Sequence, residues 1–119
     1  MKKIAIAFGL LLAGMASYAQ LDVNNIAGQV LEKLTPALNL NADQKPQVGD
    51  AVTEFLSKKA EILPLQNTDP AGYASKFNQL NGGLISKLKT ILVAKQMTSF
   101  LGMKPKTNNP SNVLSHLFY

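Results

Sequence analysis

Apolar residues recur at three- and four-residue spacing through three stretches of this chain, with polar residues on the opposite side. The first stretch runs from Asp22 to Leu38. Val23, Ile26, Ala27, Val30, Leu31 and Leu34 form one stripe of a helix. Pro36 interrupts it, and the residue before a proline avoids the helical region. The pattern therefore predicts an end or a kink near Leu34–Thr35, with the Asn24–Asn25 pair as the cap at the start. After a short link, Leu38 to Asn41, a second helix begins. Asn41 can accept from the open backbone N–H groups and Gln44 stands three residues on, which is a capping box. Asp43 suits the positive end of the helix dipole, and Leu40 can staple against Val48 or the stem of Lys45. The stripe continues through Val48, Val52, Phe55, Leu56 and Ile62–Leu63, with Lys58, Lys59 and Glu61 facing outward, until Pro64 stops it.

Leu65 to Asp69 reads as the main loop. Asp69-Pro70 restarts a helix with a cap followed by proline at the first helical position. Tyr73, Phe77, Leu80, Leu84, Leu88 and Ile91 then make the most regular stripe in the chain. Gly82-Gly83 lies inside it and reads as a local kink, a close helix crossing or a hinge. The helix either runs on to Phe100–Leu101 or breaks near Val93, and Gly102 and Pro105 end it. Lys104 to Ser111 is a polar linker. Val113, Leu114, Leu117 and Phe118 form a last short apolar stripe that docks on the bundle or on a partner. No stretch shows strand alternation. The expected fold is all-α: a small antiparallel helical bundle or helical hairpin of about three long helices plus a short C-terminal segment.

The first residues carry a different signal. Lys2 and Lys3 precede the uncharged apolar stretch Ile4 to Ala16, and Ser17-Tyr18-Ala19 has the small-x-small form of a cleavage site. This is the layout of a secretory signal peptide, residues 1–19, leaving Gln20 as the first mature residue. An uncleaved anchor is the rival reading, but its apolar core of 13 residues falls short of the roughly 20 that span a bilayer. The expected organisation is a helical domain over 20–103 and a linker with a short amphipathic segment over 104–119. The expected location is the periplasm, or the extracellular space.

Cysteine is absent, so neither a disulfide nor a lipid-modified cysteine is available. Packing alone must hold the fold. The mature chain carries ten lysines against seven acids, a net of +3, and no Arg. Without the planar fork that reads phosphate and guanine, sequence-specific nucleic-acid binding is not expected. His116 is the only histidine and reads as a solvated residue near a mobile end. No Cys/His cluster, no G-x-S-x-G and no phosphate-cradling glycine loop is present. The spaced acids Asp43 with Asp50, and Glu54 with Glu61, read as solvated helix faces. Neither an enzyme nor a cofactor is implied.

Leu40-Asn41-Ala42-Asp43-Gln44 is close to an L-T-x-x-Q element, and Leu92-Val93-Ala94-Lys95-Gln96 repeats the outline 52 residues later, with Phe100 following. Over roughly Leu40 to Leu101 the chain resembles the small exported helical proteins related to the periplasmic chaperones Spy and CpxP. Asn41 stands where that family has Thr, and both residue types cap helices. Val93 has no acceptor, so capping is expected at Asn41 alone. The family is rich in charge, Arg included, where this chain has only Lys.

The resemblance implies an exported helical interaction protein that binds other envelope proteins or unfolded clients without ATP. The candidate client surface comprises Lys58, Lys59, Lys76, Lys87, Lys89 and Lys95, with Met97 and Phe100 beside them; Asn41, Gln44 and Asp69 are helix caps. A homodimer would cover any apolar face left open. The alternative is a structural envelope protein touching lipid or cell-wall polymer through Val113 to Phe118. That segment carries little positive charge, so only weak peripheral membrane contact is implied.

Overall fold

The computed structural model describes residues 22–119, and the signal-peptide reading of residues 1–19 lies outside them. Those residues form an all-α bundle. Its elements are α1 (Val23–Leu38), α2 (Gln44–Ile62), α3 (Leu65–Thr68), α4 (Pro70–Ile91), α5 (Ala94–Gly102) and α6 (Ser115–Phe118). Helix α2 is the centre: it packs against α1 and α4 and also touches α6, while α5 closes on α1 and α4. None of these helices is long and apolar enough to cross a membrane.

Helix α1 starts differently from expectation. Asp22, not the Asn24–Asn25 pair, is its cap, accepting from the Asn25 N–H at 3.3 Å. It also runs through Pro36 to Leu38. The N–H that proline lacks would have met the Glu32 carbonyl, and both residues are exposed, so water can serve that carbonyl. Buried Ala27, Val30, Leu34 and Leu38 hold the helix on α2. It ends at Asn39, which adopts a left-handed conformation with φ 55°. The Asn39 N–H bonds the Pro36 carbonyl at 3.3 Å and the Leu40 N–H bonds the Thr35 carbonyl at 3.0 Å. Those two bonds make a Schellman motif, with Asn in the place that usually takes Gly.

Helix α2 buries Val48, Ala51, Val52, Phe55 and Leu56. Its ladder begins at Asn41, whose carbonyl accepts from the Lys45 N–H at 3.1 Å; Pro46 then leaves one rung empty before regular helix sets in. Beyond Pro64 the expected loop is instead the single turn α3, because proline's fixed φ, −58° here, fits a helix start. Asp69 caps α4 by accepting from the Gly72 N–H at 3.1 Å. Helix α4 is unbroken through Gly82 and Gly83, and a Cβ on either would meet nothing within 4 Å. The pair therefore marks neither a break nor a close crossing. The chain does break at Leu92–Val93, both in extended backbone, before α5 begins.

The C-terminal segment is part of the bundle. Leu114, Leu117 and Phe118 are buried in the same cluster as the α1, α2 and α4 stripes, and the Phe118 ring lies 5.3 Å from that of Phe100. A four-residue helix leaves its last carbonyls without partners of its own. Side chains from α2 and α4 supply them: Lys59 Nζ donates to His116 O at 2.7 Å, Asn81 Nδ2 to Leu117 O at 2.8 Å and Tyr73 Oη to Tyr119 O at 3.1 Å.

The open surroundings of the α4 glycines generate a stability test. Gly82→Ala and Gly83→Ala are each expected to raise stability by about 0.5–1 kcal/mol, since alanine loses less backbone entropy in a helix interior. Urea denaturation reads the effect, and a loss at either position would mean that something packs against that face.

Candidate functional site

Two helix starts meet at one end of the bundle. At the first, Asn41 Oδ1 accepts from the N–H of Asp43 at 2.9 Å and of Gln44 at 2.8 Å, and Gln44 Oε1 reaches back to the Asn41 N–H at 3.1 Å. At the second, Val93 has no acceptor, so only the return half exists: Gln96 Oε1 takes the Val93 N–H at 3.0 Å. The two glutamines then pair with each other. Gln44 Nε2 donates to Gln96 Oε1 at 2.8 Å and Gln96 Nε2 to Gln44 Oε1 at 3.0 Å. Their remaining donors cross over, Gln44 to Ile91 O at 3.1 Å and Gln96 to Leu38 O at 3.0 Å. Each amide thus uses both N–H groups and both lone pairs. Gln44 is 8% exposed, and at that depth an unmatched amide group would be destabilising. The pair ties the ends of α1 and α4 to the starts of α2 and α5. A polar hollow of about 410 Å³ opens beside it, lined in part by Asn39, Lys95 and Ser99.

The structure divides the expected client surface. Met97 and Phe100 are 7% and 1% exposed and belong to the core. Lys59, expected to face outward, is 4% exposed. It continues the apolar stripe of α2, four residues after Phe55 and three after Leu56, and that spacing is the signal that locates it. Lys58 and Lys87 are exposed but both pair with Glu54, Lys58 at 3.2 Å. A small hollow of about 130 Å³ lies beside those ion pairs, between α2 and α4. Lys76, Lys89 and Lys95 are exposed cations outside these pairs. Lys87 and Lys89 leave α4 on opposite flanks of its buried Leu84–Leu88 stripe, so the lysines form no single row. The apolar tail residues Leu114, Leu117 and Phe118 are buried and are not available to lipid.

A wider charge pattern emerges when residues are grouped by element. Beyond Asp69 the chain contains Lys76, Lys87, Lys89, Lys95, Lys104 and Lys106 and not one Asp or Glu. All seven acids precede α4. The half built from α4, α5 and the segment after them is therefore cationic, relieved chiefly where Glu54 reaches Lys87.

Lys59 has an unusual setting for a cation. Its Nζ lies 5.4 Å from the centre of the Phe77 ring and donates to the His116 carbonyl. Burial lowers its pKa from 10.5 to about 8. His116 is half-buried, not solvated, and its pKa is lowered first by burial and then by the Lys59 charge. Among the described residues no three side chains are grouped to hold a metal ion. Comparison with protein-family models, with curated proteins and with solved structures returns no match.

Two measurements follow from this geometry. Asn41→Ala is expected to cost about 0.5–2 kcal/mol as a lost cap, whereas Val93→Ala should change stability by no more than about 0.5 kcal/mol. Gln44→Leu and Gln96→Leu should each cost about 1–3 kcal/mol by leaving the partner amide unmatched, and the double variant should lose clearly less than the two together. Simple additivity in denaturant would mean the glutamines act separately.

Lys59 sets the pH dependence. Its folded pKa lies below its unfolded value, so the unfolded chain holds the proton more tightly. Stability should therefore rise as pH increases from about 8, by up to about 3 kcal/mol at full deprotonation near 10.5. The clean window is pH 8 to 10, because burial raises the Tyr73 pKa above 10.0 and its stabilising contribution is lost only at higher pH. In Lys59→Met the rise between pH 8 and 10 should vanish; a variant that keeps it would place its origin elsewhere.

Proposed function

We propose that this chain is a small exported helical interaction protein that takes hold of acidic segments of other envelope proteins, unfolded clients among them, without ATP. The observation that carries the reading is the charge segregation: six lysines and no Asp or Glu from α4 onward. A one-signed surface raises the encounter rate with a segment of opposite sign and disfavours wrong partners. Lysine suits this task because its ammonium is a flexible point charge that demands no fixed ligand geometry. Val93 and Leu101, at 62% and 45% exposure, are the large apolar side chains left exposed among the described residues. Apolar area is thus scarce, and attraction by charge comes first.

Two further features support the reading. Lys2–Lys3, Ile4–Ala16 and Ser17–Ala19 have the order of an export signal. The paired elements at Leu40–Gln44 and Leu92–Gln96 resemble those of the Spy- and CpxP-related proteins. The Gln44–Gln96 pair gives that resemblance a structural role: it fixes α4 and α5 against the start of α2. The lysines on those helices then sit on a rigid support.

An aggregation assay with an acidic and a basic client tests the proposal. Suppression is expected for the acidic client at about 0.02 M salt and should fade by about 0.5 M, where screening is short-ranged. Replacing Lys76, Lys89 and Lys95 together by Gln should weaken it several-fold. Absence of suppression at any stoichiometry, or equal action on both clients, would reject it.

A further inference from the structure

We propose that the cleft between the C-terminal end of α2 and the C-terminal segment is a binding site for an organic carboxylate, with the Lys59 ammonium as its countercharge. The cleft holds about 410 Å³ and is lined by Lys59, Gln66, Asn108 and His116 on its polar side and by Leu63, Pro110 and Tyr119 on its apolar side. A volume of that order suits a small ligand, and a mixed lining of this kind is usual for such sites.

Lys59 is the unusual element. A protonated lysine has three donors, and here one is used, on the His116 carbonyl. Neither ion pair among the described residues includes Lys59, and no Asp or Glu lines the cleft. The Phe77 ring faces the cation at 5.4 Å but supplies no counter-anion. A buried cation without a carboxylate partner is an unfavourable arrangement, and an entering anion corrects it. At neutral pH most of the Lys59 side chains are charged even with the pKa lowered to about 8.

The surroundings select the class of anion. There is one cation, and the amides of Gln66 and Asn108 are neutral donors. That set matches a single negative charge better than a phosphate dianion, which favours an Arg fork or several cations. Leu63 and Pro110 offer apolar contact to the carbon part of the ligand. A free organic acid and the C-terminus of a peptide share this chemistry. None of the lining residues belongs to α4 or α5, so the site is independent of the lysines placed there.

Titration followed by nuclear magnetic resonance of the intact 15N-labelled protein tests the site. The probes are benzoate, its neutral analogue benzamide, inorganic phosphate, and an N-acetylated tripeptide ending in Phe in free-acid and amidated forms. Expected is binding of benzoate or of the free-acid peptide, with shifts at the Asn108 side-chain amide and an upward move of the Lys59 titration midpoint. The tighter of the two identifies the source as a small acid or a peptide terminus. Benzamide and the amidated peptide should bind at least tenfold more weakly. Lys59→Met should lose at least tenfold in affinity while Lys58→Met, which removes the same charge from an exposed neighbour, keeps it. The neutral-analogue comparison on the unaltered protein stands even if Lys59→Met folds poorly. Binding of benzamide as tight as benzoate overturns the proposal, as does equal affinity in Lys59→Met, phosphate binding that matches benzoate, or no binding by either acid.

Discussion

The mutual pairing of Gln44 and Gln96 is the contact through which the rest of the bundle is arranged. Two primary amides face each other at the end where α1 and α4 finish and α2 and α5 begin. Each also satisfies the N–H three residues before itself and a carbonyl at the end of another helix. Eight polar positions are settled by two side chains. A network of this kind is stabilising only when every member is matched. Its demands also account for the break at Leu92–Val93: a helix continued straight through would engage the Val93 N–H in its own ladder and carry Gln96 away from Gln44.

The opposite end is held by a different device. There the short α6 contributes Leu114, Leu117 and Phe118 to the core. Lys59, Tyr73 and Asn81 donate to the main-chain carbonyls of His116, Tyr119 and Leu117. Beside this contact Tyr73 stacks on Phe77 and Phe55 meets Phe77 edge to face, each pair with ring centres 5.9 Å apart. A chain without cysteine has no disulfide to close its last segment, and burial and hydrogen bonding do so here. The less favourable member of this contact is Lys59, a charge held out of water with one carbonyl and one ring beside it. Such groups are disfavoured for stability alone, which gives the adjoining cleft its interest.

Placing the lysines by element changes the functional picture. The reading along the chain joined Lys58, Lys59, Lys76, Lys87, Lys89 and Lys95 with Met97 and Phe100 as one client surface. The fold takes Lys59, Met97 and Phe100 into the interior and sets Lys58 and Lys87 against Glu54. What stays available is a diffuse cationic half with little apolar area. Diffuse charge is suited to capture and steering more than to tight, shaped recognition, and that distinction separates the proposed acidic-segment binding from the carboxylate cleft near α6.

Much of the local structure was legible from the residues themselves. The helical stripes, the caps at Asn41 and Asp69, and the stop before Pro64 depend on neighbours within one turn, and their physics is carried by the sequence. Helix α1 does not end before Pro36, because a missing N–H matters little where water can reach the Glu32 carbonyl and where Leu38 is buried one half-turn later. Local rules placed the last apolar stripe at Val113–Phe118 but left open whether it docks on the bundle or on a partner: a four-residue segment has no helix stability of its own, and its shape depends on side chains 36 to 57 residues away. The sequence by itself determined that the described residues fold into helices, where α2 and α4 begin, and that the charge divides at Asp69. Only the tertiary structure decided that Gln44 meets Gln96 and that Lys59, on the buried stripe of α2, meets the His116 carbonyl of α6. Both outcomes depend on which helix faces come together, and no spacing along the chain encodes what a buried polar group will find opposite it.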